Sequence, residues 1–264
     1  MRREYETLLL DEPVAHVTVV TMNRPQALNA MNTQMMADLR DCFSSYYVDQ
    51  GETRCLVLTG AGEKGFCAGA DLKERNGMTD EAWRRQHAII EQAIRAIMEC
   101  PLPVIAAVNG AAYAGGCELA LACDFIYAAP HAWFAQTEVA LGIIPGAMGT
   151  QNLPRAVGIR RAKEIILTAT PFTAEEGLAW GLINKLVPAE RLMEDVLATA
   201  SRIAANAPVA VRQAKRSMDK SQDLDRANGY SYEIEAYNRT VGTKDRIEGI
   251  RAFNEKRKPD FKGR

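Results

Sequence analysis

Two glutamates stand out in this sequence because each lies in an apolar, glycine-rich setting. Glu118 follows Gly115 and Gly116 at the point where a helix is expected to begin, among Cys, Leu and Ala residues. Glu138 precedes a second apolar loop that extends to Gly149. A carboxylate in apolar surroundings is costly unless it is paired or functional. The pair suits general acid–base catalysis, although spacing alone does not show that the two side chains meet.

A simpler interpretation of Glu118 stays open at this point. An acid in the first turn of a helix interacts favourably with the helix dipole, so this side chain could cap its helix or face water. The same helix start offers free backbone N–H groups near Gly115, which could stabilise a developing oxyanion.

Other familiar catalytic and metal-binding patterns find little support. Residues 59–74 are glycine-rich and follow an expected strand, but they lack the G-x-x-x-x-G-K-[ST] motif, and neither a phosphate loop nor a dinucleotide site is expected there. H-E-x-x-H and G-x-S-x-G are absent from the sequence. The six cysteines have no C-x-x-C or zinc-like spacing and are expected to be buried hydrophobes. We therefore expect no metal and no redox cofactor.

Composition and charge are those of an ordinary globular protein. The chain has 264 residues, of which 47% are hydrophobic, with 32 Lys+Arg against 33 Asp+Glu. The net charge of -1 gives no general attraction to nucleic acid or to an anionic membrane, so neither is an expected partner. The apolar run at residues 102–117 is interrupted by Pro and Gly and fits a strand, turn and helix start better than a membrane span. The N-terminal residues do not resemble a secretory signal, so we expect a cytoplasmic location.

Strand and helix patterns alternate in the first two-thirds of the chain. Residues 16–22, 55–59 and 103–108 are typical of strands, and residues 32–47 and 79–100 repeat apolar side chains at helical spacing. This alternation predicts an α/β fold.

The pattern becomes mostly helical beyond Pro188. Helices are predicted at residues 192–207, 209–220, 223–240 and 244–256. We expect an α/β core over residues 1–198 that carries the chemical site, and a helical segment over residues 199–264. The apolar faces of that segment suit packing against a partner subunit.

Several motifs occur in a fixed order along the chain. They are residues 23–30 (NRPQALNA), 66–72 (FCAGADL), 109–124, 141–151 and 253–257 (FNEKR). Together they resemble the crotonase, or enoyl-CoA hydratase/isomerase, superfamily nearly from end to end. The resemblance implies a spiral of ββα units followed by a C-terminal helical trimerisation segment, in a homotrimer or a homohexamer made of two trimers. It also implies an acyl-CoA substrate, with coenzyme A as part of that substrate and no separate cofactor.

The resemblance also assigns residues to roles. The backbone N–H groups of Ala70 and Gly115 would hold the thioester oxygen, Glu118 and Glu138 would be the two catalytic acids, and the N–H of Gly146 would help to position water. These roles imply an enoyl-CoA hydratase that adds water reversibly, with syn geometry, across the 2,3 double bond. The substrate-binding residues implied are Ala27, Ala68, Ala70, Asp71, Leu72, Gly115, Phe253 and Lys256.

Related activities stay open as alternatives. A 3,2-enoyl-CoA isomerase often has only the acid at the Glu138 position, so the presence of both acids favours hydration. Residues 70–75 and 243–249 resemble the methylglutaconyl-CoA hydratase branch, some of whose members bind RNA; RNA binding is the less favoured alternative. The sequence departs from close hydratases at Ala114 and Met148, where glycine is frequent, and at Thr137, where proline is common. Met148 is bulkier than glycine and is expected to narrow or reshape the acyl pocket.

Overall fold

The computed structural model describes residues 4–264. Residues 1–3 lie outside the described part, and with them the start of the segment that is not expected to be a secretory signal. The strands are β1 (Leu8–Val14), β2 (Val17–Met22), β3 (Cys55–Gly60), β4 (Gly65–Cys67), β5 (Val104–Val108), β6 (Ala111–Tyr113), β7 (Phe125–Ala128), β8 (Trp133–Ala135), β9 (Phe172–Thr173) and β10 (Lys185–Leu186). The α-helices are α1 (Thr33–Val48), α2 (Leu72–Arg75), α3 (Asp80–Met98), α4 (Gly115–Ala122), α5 (Gly149–Val157), α6 (Ile159–Thr168), α7 (Ala174–Ala179), α8 (Leu192–Ala204), α9 (Pro208–Lys220), α10 (Arg226–Val241) and α11 (Lys244–Asn254).

Within residues 4–264 the larger sheet has six strands in the order β1-β2-β3-β5-β7-β10. All neighbours are parallel except β1 and β2. Strands β3 and β5 are buried along their whole length. Strands buried on both faces are near-continuous apolar runs, which is why these two were recognisable in the sequence.

A second, smaller sheet in the described residues has the order β4-β6-β8-β9, with β4, β6 and β8 parallel. Each of these three strands comes directly after a strand of the larger sheet, namely β3, β5 and β7. The chain therefore repeats a strand of one sheet, a strand of the other and a helical return. This organisation confirms the predicted α/β fold of repeated ββα turns.

Residues 60–65 read G-x-G-x-x-G, the pattern of a dinucleotide-binding loop. In the structure they lead from β3 into β4 rather than into a helix. A dinucleotide-binding loop places its pyrophosphate at a helix N-terminus, so the fingerprint lacks the structural context that gives it meaning.

Two apolar clusters cover the faces of the larger sheet. Helices α1 and α3 pack on one face, with Leu39, Phe43 and Ile94 buried there. Helix α8 packs on the other face through Val196 and Ala200. The predicted boundary between residues 198 and 199 falls inside α8, so this helix lies against the sheet as one continuous element.

The predicted C-terminal helices are present, with shifted ends. Helix α8 ends at Ala204 instead of residue 207, because Ala207 precedes Pro208 and takes an extended conformation. Helix α10 begins at Arg226 instead of residue 223, because the Asp225 side chain caps it by accepting hydrogen bonds from the backbone N–H groups of Ala227 and Asn228. In residues 4–264 no helix combines the length and apolar character needed to cross a bilayer. The apolar run at residues 102–117 forms β5, β6 and the start of α4.

Candidate active site

Glu118 lies in the first turn of α4 and is only 2% exposed. Its Oε1 atom accepts hydrogen bonds from the backbone N–H groups of Ala147, at 2.8 Å, and Gly149, at 2.7 Å. The side chain therefore neither caps its own helix nor faces water, which excludes the simpler interpretation left open by the sequence. The loop before α5 instead holds one carboxyl oxygen in a fixed position.

Glu138 begins a short 3-10 turn that ends at Leu141 and is 6% exposed. Neither of its carboxyl oxygens has a hydrogen-bond partner in residues 4–264. An unpaired buried carboxylate is costly, so this group is suited to hold a proton or to contact a bound molecule.

The two acids influence each other. Burial, followed by the charge of Glu138, raises the pKa of Glu118 to about 7, although the N–H groups of Gly149 and Ala147 act in the opposite direction. Burial also raises the pKa of Glu138. Two buried carboxyls that interact titrate as a pair, and the charge on one disfavours ionisation of the other.

Gln136 is a third polar side chain at this place, and sequence reasoning missed it. It is fully buried, its Nε2 donates a long bond of 3.4 Å to the Ala114 carbonyl, and its Oε1 has no partner among the described residues. The available signal was a polar amide side chain two residues before Glu138, directly after the apolar residues Phe134 and Ala135.

The backbone amides of Ala70 and Gly115 form the second part of the site. Met31 pairs with residues 69–71 as in a parallel sheet: its N–H donates to the carbonyl of Gly69, and its carbonyl accepts from the N–H of Asp71. This parallel pairing turns the N–H of Ala70 away from Met31. Gly115 is the first residue of α4, where an N–H has no intrahelical partner.

These two amides are close together. A Cβ at Gly115 would lie 3.9 Å from the Ala70 nitrogen, and 2.4 Å from Met31 Cε, the end of a side chain that would have to move to make room. Neither amide donates a hydrogen bond within the described part of the chain. The pair can therefore donate to one oxygen of a ligand, which is the arrangement of an oxyanion hole.

Residues 12–264 match the profile of the enoyl-CoA hydratase/isomerase family. The chain belongs to this family.

Named relatives and a solved structure agree with this assignment over nearly the whole chain. The chain is 41% identical over 254 residues to a short-chain-enoyl-CoA hydratase of Clostridium acetobutylicum, covering 96% of this chain and 97% of that protein. It is 39% identical over 257 residues to a crotonyl-CoA hydratase of Syntrophomonas wolfei, covering 97% and 98%. A crystal structure of an enoyl-CoA hydratase from Bacillus anthracis superposes with a TM-score of 0.96 at 42% identity, covering 98% of this chain and 100% of that one. The fold predicted by resemblance is confirmed.

Asp71, one of the substrate-binding residues implied by the family, has a visible structural role. Asp71 Oδ1 accepts from the amides of Lys73 and Glu74 and caps α2, while its Oδ2 accepts from Arg24 at 2.9 Å. Burial alone would raise the pKa of Asp71, but these bonds hold it below its usual value. Asp71 thus fixes the segment that carries the Ala70 amide, and Leu72 is exposed beside it.

The remaining predicted binding residues form two groups: Ala27 and Ala68 are brought together beside Leu28, whereas Phe253 and Lys256 lie at the end of α11 and just beyond it. Ala27 ends a short 3-10 turn, and Ala68 donates its N–H to Leu28. Phe253 lies at the end of α11 and is 84% exposed. Lys256, two residues beyond the end of α11, is also exposed. Contact with coenzyme A by these two residues stays a prediction.

The departures from glycine keep the backbone geometry that glycine favours. Ala114 precedes α4 with φ 49° and ψ -121°, and Met148 precedes α5 with φ 71° and ψ 7°. Non-glycine residues at positive φ are strained, and such strain often occurs at functional sites. Thr137 makes no side-chain capping bond to the 3-10 turn of Glu138. No group of three or more His, Cys, Asp or Glu side chains in residues 4–264 is arranged to hold a metal ion.

Proposed function

We propose that this protein adds water reversibly, with syn geometry, across the 2,3 double bond of a 2-enoyl-CoA. One observation carries the proposal: a carboxyl fixed by two amides and an unpartnered carboxyl are buried near two free backbone N–H groups. The names of the relatives, a short-chain-enoyl-CoA hydratase and a crotonyl-CoA hydratase, support it.

The amides of Ala70 and Gly115 bind the thioester oxygen of the substrate. As water attacks the β carbon, negative charge moves onto this oxygen to give an enolate-like anion. Donors fixed in advance stabilise that charge without reorganisation, and removal of one such donor typically costs about 10²–10³ in turnover.

The two acids divide the proton transfers. Glu118 has a pKa of about 7, which suits a general base near neutral pH, and two backbone N–H bonds hold its Oε1 in place, so it takes the proton from the attacking water. Glu138 has no hydrogen-bond donor among the described residues to favour its ionised form, so it acts as the acid that delivers a proton to the α carbon. The N–H of Gly146 helps to hold the water. Water contributes one proton and one hydroxyl group, so the pair returns to its starting charge.

Hydration fits the site better than migration of the double bond. An isomerase needs one acid to move a proton between carbons, and the family's isomerases often have only the acid at the Glu138 position. A second buried acid is costly, and here two backbone N–H groups hold that second acid, Glu118, in place. Under isomerisation by Glu138 alone, Glu118→Gln would keep turnover of a 3-enoyl-CoA.

Loss of the conjugated thioester absorbance of crotonyl-CoA and of longer or branched 2-enoyl-CoAs tests the proposal. We expect Glu118→Gln and Glu138→Gln each to lower turnover by at least about 10²-fold, the usual contribution of a general acid or base. Glu175→Gln, at an exposed glutamate of α7, is the matched control and should match the unaltered protein. No turnover of any 2-enoyl-CoA, or near-full activity of either active-site variant, would refute hydration by this pair.

The proposal extends to assembly as a homotrimer or homohexamer. Helix α10 exposes Tyr230, Ile234, Tyr237 and Val241 at helical spacing along one face. A contiguous apolar patch of this kind usually marks an interface. Light scattering should give three or six times the mass of one chain, and Ile234→Asp should lower that mass; a monomeric unaltered protein would contradict the assembly. In the assembly, Phe253 and Lys256 would reach the coenzyme A bound by a neighbouring subunit.

A further inference from the structure

His87 projects from α3 toward the loop that holds Glu118. It shares one face of that helix with Trp83, Ile90 and Ile94, because these residues are spaced by three or four. The side chain is half-buried, and neither ring nitrogen takes part in a hydrogen bond or ion pair with residues 4–264. Neither an ion pair nor a structural hydrogen bond therefore explains an imidazole at this place.

The imidazole lies against the backbone of Gly146. A Cβ at Gly146 would be 2.5 Å from His87 Nε2, 3.3 Å from its Cδ2 and 3.5 Å from its Cε1. The next residue, Ala147, donates its N–H to Glu118 at 2.8 Å. The ring is therefore next to the loop that fixes the catalytic base, on the side from which α3 covers the site.

The part of α3 that carries His87 is firmly anchored. Gln86 is 4% exposed, and its Nε2 donates to Thr33 Oγ1 at 2.9 Å and to Glu74 Oε2 at 2.8 Å. Its Oε1 accepts from Arg75 Nε at 2.8 Å, and the Arg75 guanidinium lies 4.2 Å from the centre of the Trp83 ring.

This network joins α3 to the oxyanion segment. Met31 and Ala70 form the bridge that orients the Ala70 amide. Thr33 lies two residues after Met31, and Glu74 lies four residues after Ala70. Helix α3 thus touches the oxyanion side of the site through Gln86 and the acid side through His87. Displacing the helix to admit a longer substrate would break buried hydrogen bonds, which is costly.

We propose that His87 forms the far wall of the acyl compartment and restricts productive binding to short acyl groups. The inference rests on the proposed hydration. A carbon chain that extends beyond the β carbon on the Gly146 side meets the imidazole, and the anchored helix does not yield. One misfitted methylene in a pocket changes kcat/KM by about 10–200-fold, so a single ring can set the length limit.

The test compares kcat/KM for crotonyl-CoA and for trans-2-decenoyl-CoA. In the unaltered protein the short substrate should be preferred by at least about tenfold. In His87→Ala the preference should fall by about tenfold or more, through a higher kcat/KM for the long substrate relative to crotonyl-CoA. Arg84→Ala, at an exposed position one turn earlier, should leave the preference unchanged.

Two further arms make the outcome decisive. His87→Leu keeps most of the volume and should retain the preference for short chains, whereas a preference lost equally in His87→Leu would refute a steric wall. Calorimetric binding of butyryl-CoA and decanoyl-CoA reads the same compartment without chemistry, and His87→Ala should strengthen binding of decanoyl-CoA alone. An unaltered protein that hydrates both substrates equally, or a preference unmoved in His87→Ala, would overturn the inference while leaving hydration intact. Failure to hydrate any 2-enoyl-CoA would instead overturn the proposed function.

Discussion

The carboxyl oxygen of Glu118 and the amide oxygen of Gln136 converge on one point of the backbone. Each lies 2.7 Å from the position that a Cβ at Gly149 would occupy. Gly149 also donates its N–H to Glu118. The absence of a side chain at Gly149 therefore allows the loop to approach both polar groups.

Gly149→Ala should lower kcat strongly with a smaller effect on KM. The new methyl group must displace Glu118 or Gln136, and a misplacement of about 1 Å at a catalytic group can cost about 10²-fold in rate. Steady-state kinetics with crotonyl-CoA measures the effect.

Gly242→Ala is the control for the glycine substitution. Gly242 follows α10 at φ -79°, and a Cβ there meets nothing within 4 Å. A kcat for Gly149→Ala equal to that of Gly242→Ala would contradict the crowding at Glu118.

The raised pKa of Glu118 predicts a pH-dependent stability. Its folded-state value of about 7 lies above the ordinary 4.5, so the folded chain binds a proton that the unfolded chain releases between these values. Stability from this group is complete below pH 4.5 and is lost as pH rises through about 7. Glu118→Gln removes this titration and should become more stable relative to the unaltered protein between pH 5 and pH 8, by up to about 3 kcal/mol.

Thermal unfolding of both proteins at several pH values checks this expectation. Glu175→Gln, at an exposed glutamate of α7, is the matched control. A constant difference between Glu118→Gln and the unaltered protein would mean that Glu118 titrates as it does in water.

The sequence predicted the larger sheet better than the smaller one. Strands β3 and β5 are long apolar runs, whereas β4, β6 and β8 have three residues each, too few to show a periodicity. Their identity depends on pairing with segments distant in the chain. Residue patterns alone therefore predicted alternating strands and helices, and the repeated ββα turn came only from the family resemblance.

The acids of the site were visible for a reason that did not extend to their partners. Glu118 and Glu138 contrast with their apolar neighbours, so each can be recognised from the sequence alone. The amides of Ala147 and Gly149 that hold Glu118 come from a loop about thirty residues away, and no local sequence pattern predicts these two hydrogen bonds. No sequence pattern singles out His87, because its contact with Gly146 exists only in the folded chain.

Ala114 should be replaceable by glycine with a gain in stability. Its φ of 49° and ψ of -121° strain any residue that has a Cβ, at a cost of about 1–3 kcal/mol. Glycine relieves the strain, although its greater freedom in the unfolded chain removes about 0.4–1 kcal/mol of the gain. We expect Ala114→Gly to raise the free energy of unfolding by about 1 kcal/mol, measured by urea denaturation.

An ordinary helical alanine gives the opposite sign. Ala198→Gly, at an exposed position of α8, should destabilise the protein by about 1 kcal/mol. If both substitutions destabilise equally, Ala114 carries no backbone strain.

Lys215 of α9 should anchor the C-terminal helices to the larger sheet. It is almost fully buried, and its Nζ donates to Asp124 Oδ2 at 2.8 Å and to the Leu102 carbonyl at 2.9 Å. Asp124 also accepts from the N–H of Val104 at 2.7 Å, at the start of β5. Lys215→Met would leave the carboxylate and the carbonyl without their cation. Breaking a buried pair from one side costs about 3–5 kcal/mol, and because Asp124 is partly exposed we expect about 2 kcal/mol.

A double-mutant cycle separates this pair from simple packing. Asp124→Asn alone leaves the Lys215 charge buried, so it should also destabilise, while Lys215→Met combined with Asp124→Asn should cost less than the sum of the two single changes. The free energies of unfolding from urea denaturation give the coupling energy. Strict additivity would show that Lys215 acts only through its aliphatic stem and that α9 is held by apolar packing.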